Sequence, residues 1–171
     1  MNFSVLMPVY YKANPIYLKH ALDSVWTAQT LKPSEIVIVE DGPINKEIDE
    51  VISKFKEIAP INSVCLPKNV GLGKALNEGL VACRYEYVAR MDADDIALPN
   101  RFEKQIGYLK NNPNCDLLGG AIEEFNNEKK EEKFIRGLPI YHSDILKFIR
   151  YRSPFNHMTV IFRKDSVLKA G

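Results

Sequence analysis

The chain opens on a short, almost unbroken apolar run, Phe3-Ser4-Val5-Leu6-Met7-Pro8-Val9-Tyr10. Apolar residues at successive positions, rather than at every second one, predict a strand buried on both faces, and Pro8, with no N–H to offer a neighbour, is expected to mark its end. Asn14-Pro15 then supplies a helix cap and a first-turn proline, and Leu18, Leu22, Val25, Trp26 and Gln29 fall on one helical stripe. The unit repeats. Glu35-Ile36-Val37-Ile38-Val39 reads as a second buried strand, the turn Glu40-Asp41-Gly42-Pro43 follows, and Asn45 caps a helix with Ile48, Val51, Ile52, Phe55 and Ile58 on one face. Beyond Pro60, residues 62–66 predict a third strand, and residues 74–83 a helix with Ala75, Leu76, Gly79 and Leu80 inward. Residues 85–91 predict a further strand that runs into Asp92-Ala93-Asp94-Asp95.

This alternation of strand and helix predicts an α/β three-layer sandwich with a mainly parallel sheet, because parallel neighbours need crossover connections. Ligands of such sheets bind at the carboxyl ends of the strands. The acidic turns at Glu40-Asp41 and at Asp92 to Asp95 both follow strands, so they are expected to meet in one crevice. After Pro99 the pattern is less regular. It predicts a helix over 101–110, a strand over 115–120, a charged loop or hairpin tip over 126–133, a helix over 142–152, a strand over 158–163 and a short helix before Gly171.

Composition narrows the classes of function. The chain has 171 residues, 46% of them hydrophobic, enough to bury the core of one domain. Its 23 basic and 22 acidic residues leave a formal charge of +1, which gives no field to attract nucleic acid. Cys65, Cys83 and Cys115 form no zinc or redox pattern and read as intracellular thiols. The N-terminus has no basic run and no window reaches the ~20 apolar residues of a membrane span. A cytoplasmic location follows, with membrane contact at most peripheral.

The cluster Asp92-Ala93-Asp94-Asp95 places three carboxylates within four residues. Such an array repels itself unless water or a cation relieves it, and hard oxygen ligands suit magnesium or manganese shared with a diphosphate. A polar turn capping the next helix is the plainer alternative for a bare D-x-D. Its place at the end of a buried strand favours the metal reading. Asp41 either accepts from the N–H of a nucleobase or satisfies backbone N–H groups in its own turn. Tyr10 and Tyr11 offer a stacking face or ordinary packing. Gly71-Leu72-Gly73-Lys74 matches neither nucleotide-loop pattern, since Leu76 and Ala75 occupy the positions those patterns reserve for other residues. It leaves a glycine-rich helix start with Lys74 or Arg90 to meet phosphate oxygens. His157, just before the last strand, either joins the metal or satisfies loop carbonyls, and His20 and His142 read as surface residues.

Taken in order, four motifs resemble the family 2 glycosyltransferases of the A-type, Rossmann-like nucleotide-binding fold. They are Ser4-Val5-Leu6-Met7-Pro8-Val9-Tyr10, Ile36-Val37-Ile38-Val39-Glu40-Asp41-Gly42, Asn69-Val70-Gly71-Leu72-Gly73-Lys74-Ala75-Leu76-Asn77 and Ala89-Arg90-Met91-Asp92-Ala93-Asp94-Asp95. Leu98-Pro99-Asn100-Arg101 and, more loosely, residues 155–164 continue the match. The resemblance is greatest to bacterial transferases of exopolysaccharide and amylovoran type. It implies a nucleoside-diphosphate sugar donor, commonly a UDP-sugar, and a glycan or lipid-linked acceptor, joined with inversion. Pro8, Tyr10 and Asp41 would surround the nucleoside, Asp92 would lie near the ribose, Asp94 would bind the metal, and Asp95 would share either job. The family's catalytic base lies some tens of residues after the strand matching 158–162, so it is expected beyond Gly171, with residues 1–171 as one donor-binding domain. A nucleotidyltransferase or a non-catalytic sugar-nucleotide-binding module are the competing readings. Against the first, residues 10–15 lack the glycine-rich basic loop.

Overall fold

A computed structural model of the chain describes residues 1–125 and 133–170. Strand β1 (Phe3–Val9) lies at the centre of a sheet with β2 (Glu35–Glu40) and β4 (Tyr87–Arg90) as parallel neighbours, and β3 (Ile61–Cys65) is parallel to β2 on its outer side. The other edge is antiparallel: β8 (Ile161–Arg163) pairs with β4, and β5 (Leu117–Leu118) with β8, giving the order β3-β2-β1-β4-β8-β5. The expected mainly parallel sheet is therefore present, with two reversed strands at one side. A separate hairpin joins β6 (Ile122–Phe125) to β7 (Lys133–Arg136). The charged tip expected over 126–133 lies, apart from the backbone of Lys133, outside the described residues.

Side chains alternate across β1 and decide the layers. Phe3, Val5 and Met7 join Ile36 and Ile38 in a core covered by α1 (Pro15–Val25), α2 (Lys46–Lys56) and α4 (Arg101–Asn111). Leu6, Val37, Val39 and Val88 face the other way, onto Ala75 and Leu80 of α3 (Leu72–Ala82). Helix α3 sits close because residue 79 is glycine: a Cβ there would come within 2.4 Å of both Leu6 Cδ1 and Val39 Cγ2. The expected caps are in place. Asn14 Oδ1 accepts from the amides of Ile16 and Tyr17, and Asn45 Oδ1 from that of Ile48.

Several boundaries differ from expectation. Strand β1 runs one residue past Pro8 to Val9, which is tolerated because the β4 pairing stops at Leu6 and no strand on that side needs the missing N–H. Helix α1 stops at Val25, so Gln29 is buried as a loop residue, its amide donating to the carbonyls of Ser24 and Leu98. Helix α2 stops at Lys56 and leaves Ile58 exposed. Helix α5 (His142–Phe148) is shorter than the predicted 142–152 and buries no side chain. The strand expected over 158–163 divides into a 3₁₀ turn, His157–Thr159, and β8. Helix α6 (Lys164–Ala170) ends the described chain. Among the described residues, no helix is long and apolar enough to cross a membrane.

Filling the space at residue 79 tests the three-layer packing. Gly79→Val should destabilise the fold by about 1–3 kcal/mol through overpacking against Leu6 and Val39, measured by urea unfolding.

Candidate functional site

The carboxyl ends of β1, β2 and β4 open into a cavity of about 560 Å³. Its walls include Pro8 from β1 and Tyr10 just after it, Asp41 just after β2, and Asp92 and Asp94 just after β4. The two acidic turns thus meet as expected, because three parallel neighbours finish on the same side of the sheet. Tyr10 lines the cavity at 44% exposure, while the adjacent Tyr11 packs edge-on against its ring at 5.8 Å and does not line it. Lys12, Asn14 and Tyr17 complete that wall. Sequence patterning had singled out Asn14 only as a cap, and nothing in the periodicity marks Tyr17, which is one of the exposed positions of α1.

Asp41 is 5% exposed and is held by a neighbouring loop instead of its own turn. Its Oδ1 accepts from the Val70 amide at 2.7 Å and its Oδ2 from the Gly71 amide at 3.1 Å, and Asn69 Nδ2 donates to its carbonyl. Gly42 makes this approach possible. It has φ +85°, and a Cβ there would stand 2.6 Å from Asn69 N. The loop so pinned delivers Gly71 and Leu72, at the start of α3, to the cavity wall. No side chain caps that helix, so its first N–H groups are open to an anion. Lys74 is the third residue of α3. It is exposed and does not line the cavity.

The acidic turn is balanced by two arginines. Arg90 is 1% exposed, and its guanidinium is engaged within the protein, donating to the Met91 carbonyl and pairing with Asp92 Oδ1. Burial pulls its pKa down, while Asp92 opposes that shift. Arg101, from the start of α4, donates Nη2 to the Arg90 carbonyl at 2.8 Å; burial pushes it down to about 10 against the pull of Asp95. Asp94 is exposed to the cavity and makes no hydrogen bond or ion pair among the described residues. Three carboxylates against two guanidiniums leave one negative charge, and Asp95 registers it. Burial first, then Asp92 and Asp94, push its carboxyl from 3.8 up to about 6.

His157, on the 3₁₀ turn beside this cluster, is largely exposed; partial desolvation of its ring and nearby Arg90 lower its pKa, with Asp92 opposing, which favours the neutral imidazole. Among the described residues, no three His, Cys, Asp or Glu side chains form a complete metal-ligand set. The donor set nevertheless suits a hard divalent ion that takes part of its oxygen shell from a ligand, since Asp94 is unpaired and the turn has negative charge in excess. Of the cysteines, Cys83 is buried and Cys65 exposed, and among the described residues none forms a disulfide.

The fold that carries this cavity is shared with solved glycosyltransferases. S. aureus TarS 1-349 in complex with UDP superposes with a TM-score of 0.76 at 22% identity, covering 99% of this chain and 49% of that one. Mannosyltransferase PcManGT from Pyrobaculum calidifontis, in complex with GDP-Man and Mn2+, gives 0.69 at 17% identity, covering 99% and 46%. The fold is therefore the glycosyltransferase A-type fold. The family model for glycosyl transferase family 2 matches residues 4–171, and the chain belongs to that family. Among curated relatives it is 47% identical to the amylovoran biosynthesis glycosyltransferase AmsE of Erwinia amylovora, over 99% of this chain and 62% of AmsE. It is 38% identical to the UDP-Gal:alpha-D-GlcNAc-diphosphoundecaprenol beta-1,3-galactosyltransferase of Escherichia coli, over 99% of this chain and 61% of that protein. The chain thus spans about three fifths of the length of these relatives.

Two measurements test the site as built. Asp41→Asn replaces one acceptor with an amide that faces a backbone N–H, so it should cost about 1–3 kcal/mol in chemical unfolding. The raised pKa of Asp95 favours the folded chain while that carboxyl is protonated, and this contribution is lost as pH rises through about 6. Without divalent cations, the melting temperature of Asp95→Asn should therefore gain on that of the parent as pH rises from about 4 to about 7.

Proposed function

We propose that this chain is the donor-binding part of a glycosyltransferase that moves a sugar from a nucleoside-diphosphate sugar, a UDP-sugar, to a glycan or lipid-linked acceptor. The observation that carries this reading is the convergence of Asp41, Tyr10, Asp92 and Asp94 on one cavity at the strand ends. Tyr10 offers an aromatic face and Asp41 an acceptor for a base, with Pro8 lining the same cavity. The diphosphate then lies between the open start of α3 and the acidic turn. Lys74 reaches that diphosphate from outside, whereas Arg90 acts on it only by holding Asp92. A manganese or magnesium ion shared by Asp94, with Asp95 or His157 beside it, would supply charge neutralisation for the departing diphosphate.

The named activity of the E. coli relative, a UDP-Gal transferase acting on a diphosphoundecaprenol-linked sugar, supports a UDP-sugar donor and a lipid-linked acceptor. That of AmsE supports a role in cell-surface polysaccharide assembly. An acceptor of that kind would place the reaction at the cytoplasmic face of a membrane, with peripheral contact. Inversion of the anomeric centre requires a base to take the acceptor's proton. Among the described residues, the carboxylates lining the cavity are Asp41, Asp92 and Asp94, and each already has another task in this reading, so we assign no base. The competing reading is a sugar-nucleotide-binding module without transfer.

Calorimetric titration of UDP with and without manganese tests the donor site. The parent should bind UDP more tightly with manganese, and Asp94→Ala should abolish the metal-dependent part. Equal binding by parent and variant in manganese would remove Asp94 from the metal site, and sugar transfer by the parent would eliminate the binding-module reading.

A further inference from the structure

The acidic turn and the His157 turn come from distant parts of the sequence, and one continuous chain of side-chain contacts joins them. Each nitrogen of the Arg101 guanidinium has a contact within the protein: Nη2 donates to the Arg90 carbonyl at 2.8 Å, Nη1 lies 3.3 Å from Met91 Sδ, and Nε donates to Gln105 Oε1 at 3.1 Å. Gln105, 8% exposed and one helical turn later on α4, donates its Nε2 to the Thr159 carbonyl at 2.8 Å. The path therefore runs from the end of β4, through two side chains of one helix, to the last residue of the His157–Thr159 turn. The amide of Gln105 has one orientation in this path, since its oxygen meets a donor and its nitrogen an acceptor.

We propose that Arg101 and Gln105 are a positioning pair, setting the acidic turn against the His157 turn and so the strength with which the turn holds a divalent cation and diphosphate. The proposal rests on the donor reading above. Neither side chain lines the cavity, so neither contacts the ligand in this scheme. Their effect passes through backbone carbonyls. Arg101 fixes the carbonyl of the residue whose guanidinium pairs with Asp92, and its own charge offsets Asp95 without binding Asp94. Asp94 is thereby left facing the cavity. A half-buried guanidinium is costly to desolvate, and lysine at this position would keep the charge but lose the fan of directed contacts.

The test uses Arg101→Lys, Gln105→Leu and the double variant. Manganese affinity at saturating UDP is read from the electron paramagnetic resonance of the free ion, folding from thermal melting, and the coupling of the two turns from amide spectra without ligand. Each single variant should weaken manganese binding about tenfold, as loss of a partner behind a metal ligand does. The double variant should weaken it no further than the worse single, because both lie on one path. Gln105→Leu should shift the amide resonances of both residues 92–95 and residues 157–159. Folded variants that bind manganese as the parent does, or shifts confined to α4, would overturn the proposal. If Gln105→Leu does not fold, Gln105→Glu keeps the acceptor for Arg101, loses the donor to Thr159, and gives the same readouts. A parent that binds no UDP with manganese would defeat the donor reading, while the ligand-free amide shifts would still decide the positioning claim.

Discussion

The site depends on how three carboxylates are held at the end of one buried strand. Asp92, Asp94 and Asp95 repel one another, and the protein offsets only part of that charge, with Arg90 buried beneath the turn and Arg101 beside it. Full neutralisation would leave nothing for a cation to do, and no neutralisation would make the turn costly to fold. Asp94, with no hydrogen bond or ion pair among the described residues, faces the cavity. Burial of Arg90 keeps two of its nitrogens on the Met91 carbonyl and on Asp92, while its Nε has no hydrogen-bond partner among the described residues.

The sheet turns that local balance into a site. Parallel pairing of β1 with β2 and β4 brings the ends of three strands to one side, and the crossover helices cover both faces. Asp41 is drawn in by the same geometry, but its carboxylate has a structural task as well. It fastens residues 69–71, and with them the start of α3, against the end of β2. Gly42 permits this by leaving space where any Cβ would meet the Asn69 backbone. The end of β2 and the start of α3 are thus coupled through one side chain, and a substitution there acts on both walls of the cavity.

Much of this was legible in the chain itself. Continuous apolar runs identified β1 and β2 because strands buried on both faces have no polar side to show, and the asparagine caps at positions 14 and 45 signalled the starts of α1 and α2. The acidic turns stood out by residue type and by following those strands. The boundaries were less secure where tertiary contacts override the local pattern. Pro8 lies inside β1 because β4 has already diverged, and Gln29 is buried by bonds to Leu98 and Phe102, not by a helical stripe. Residues 157–159 turn before β8 begins, although their composition suits a strand.

Position in the sequence by itself determined the α/β class, the order of the elements, and the two acidic turns as the place for chemistry, because apolar periodicity and residue type are local properties. Only the tertiary structure decided what each charged side chain does. Arg90 and Lys74 both read as cations near a phosphate, yet one is sealed under the turn and the other stands in solvent outside the cavity wall. Arg101 reads only as the end of a motif that continues the family resemblance and Gln105 as a helix residue, and together they join the end of β4 to a turn more than fifty positions away. The physical reason is that burial and hydrogen-bond partners are set by elements distant in sequence, which no local pattern records.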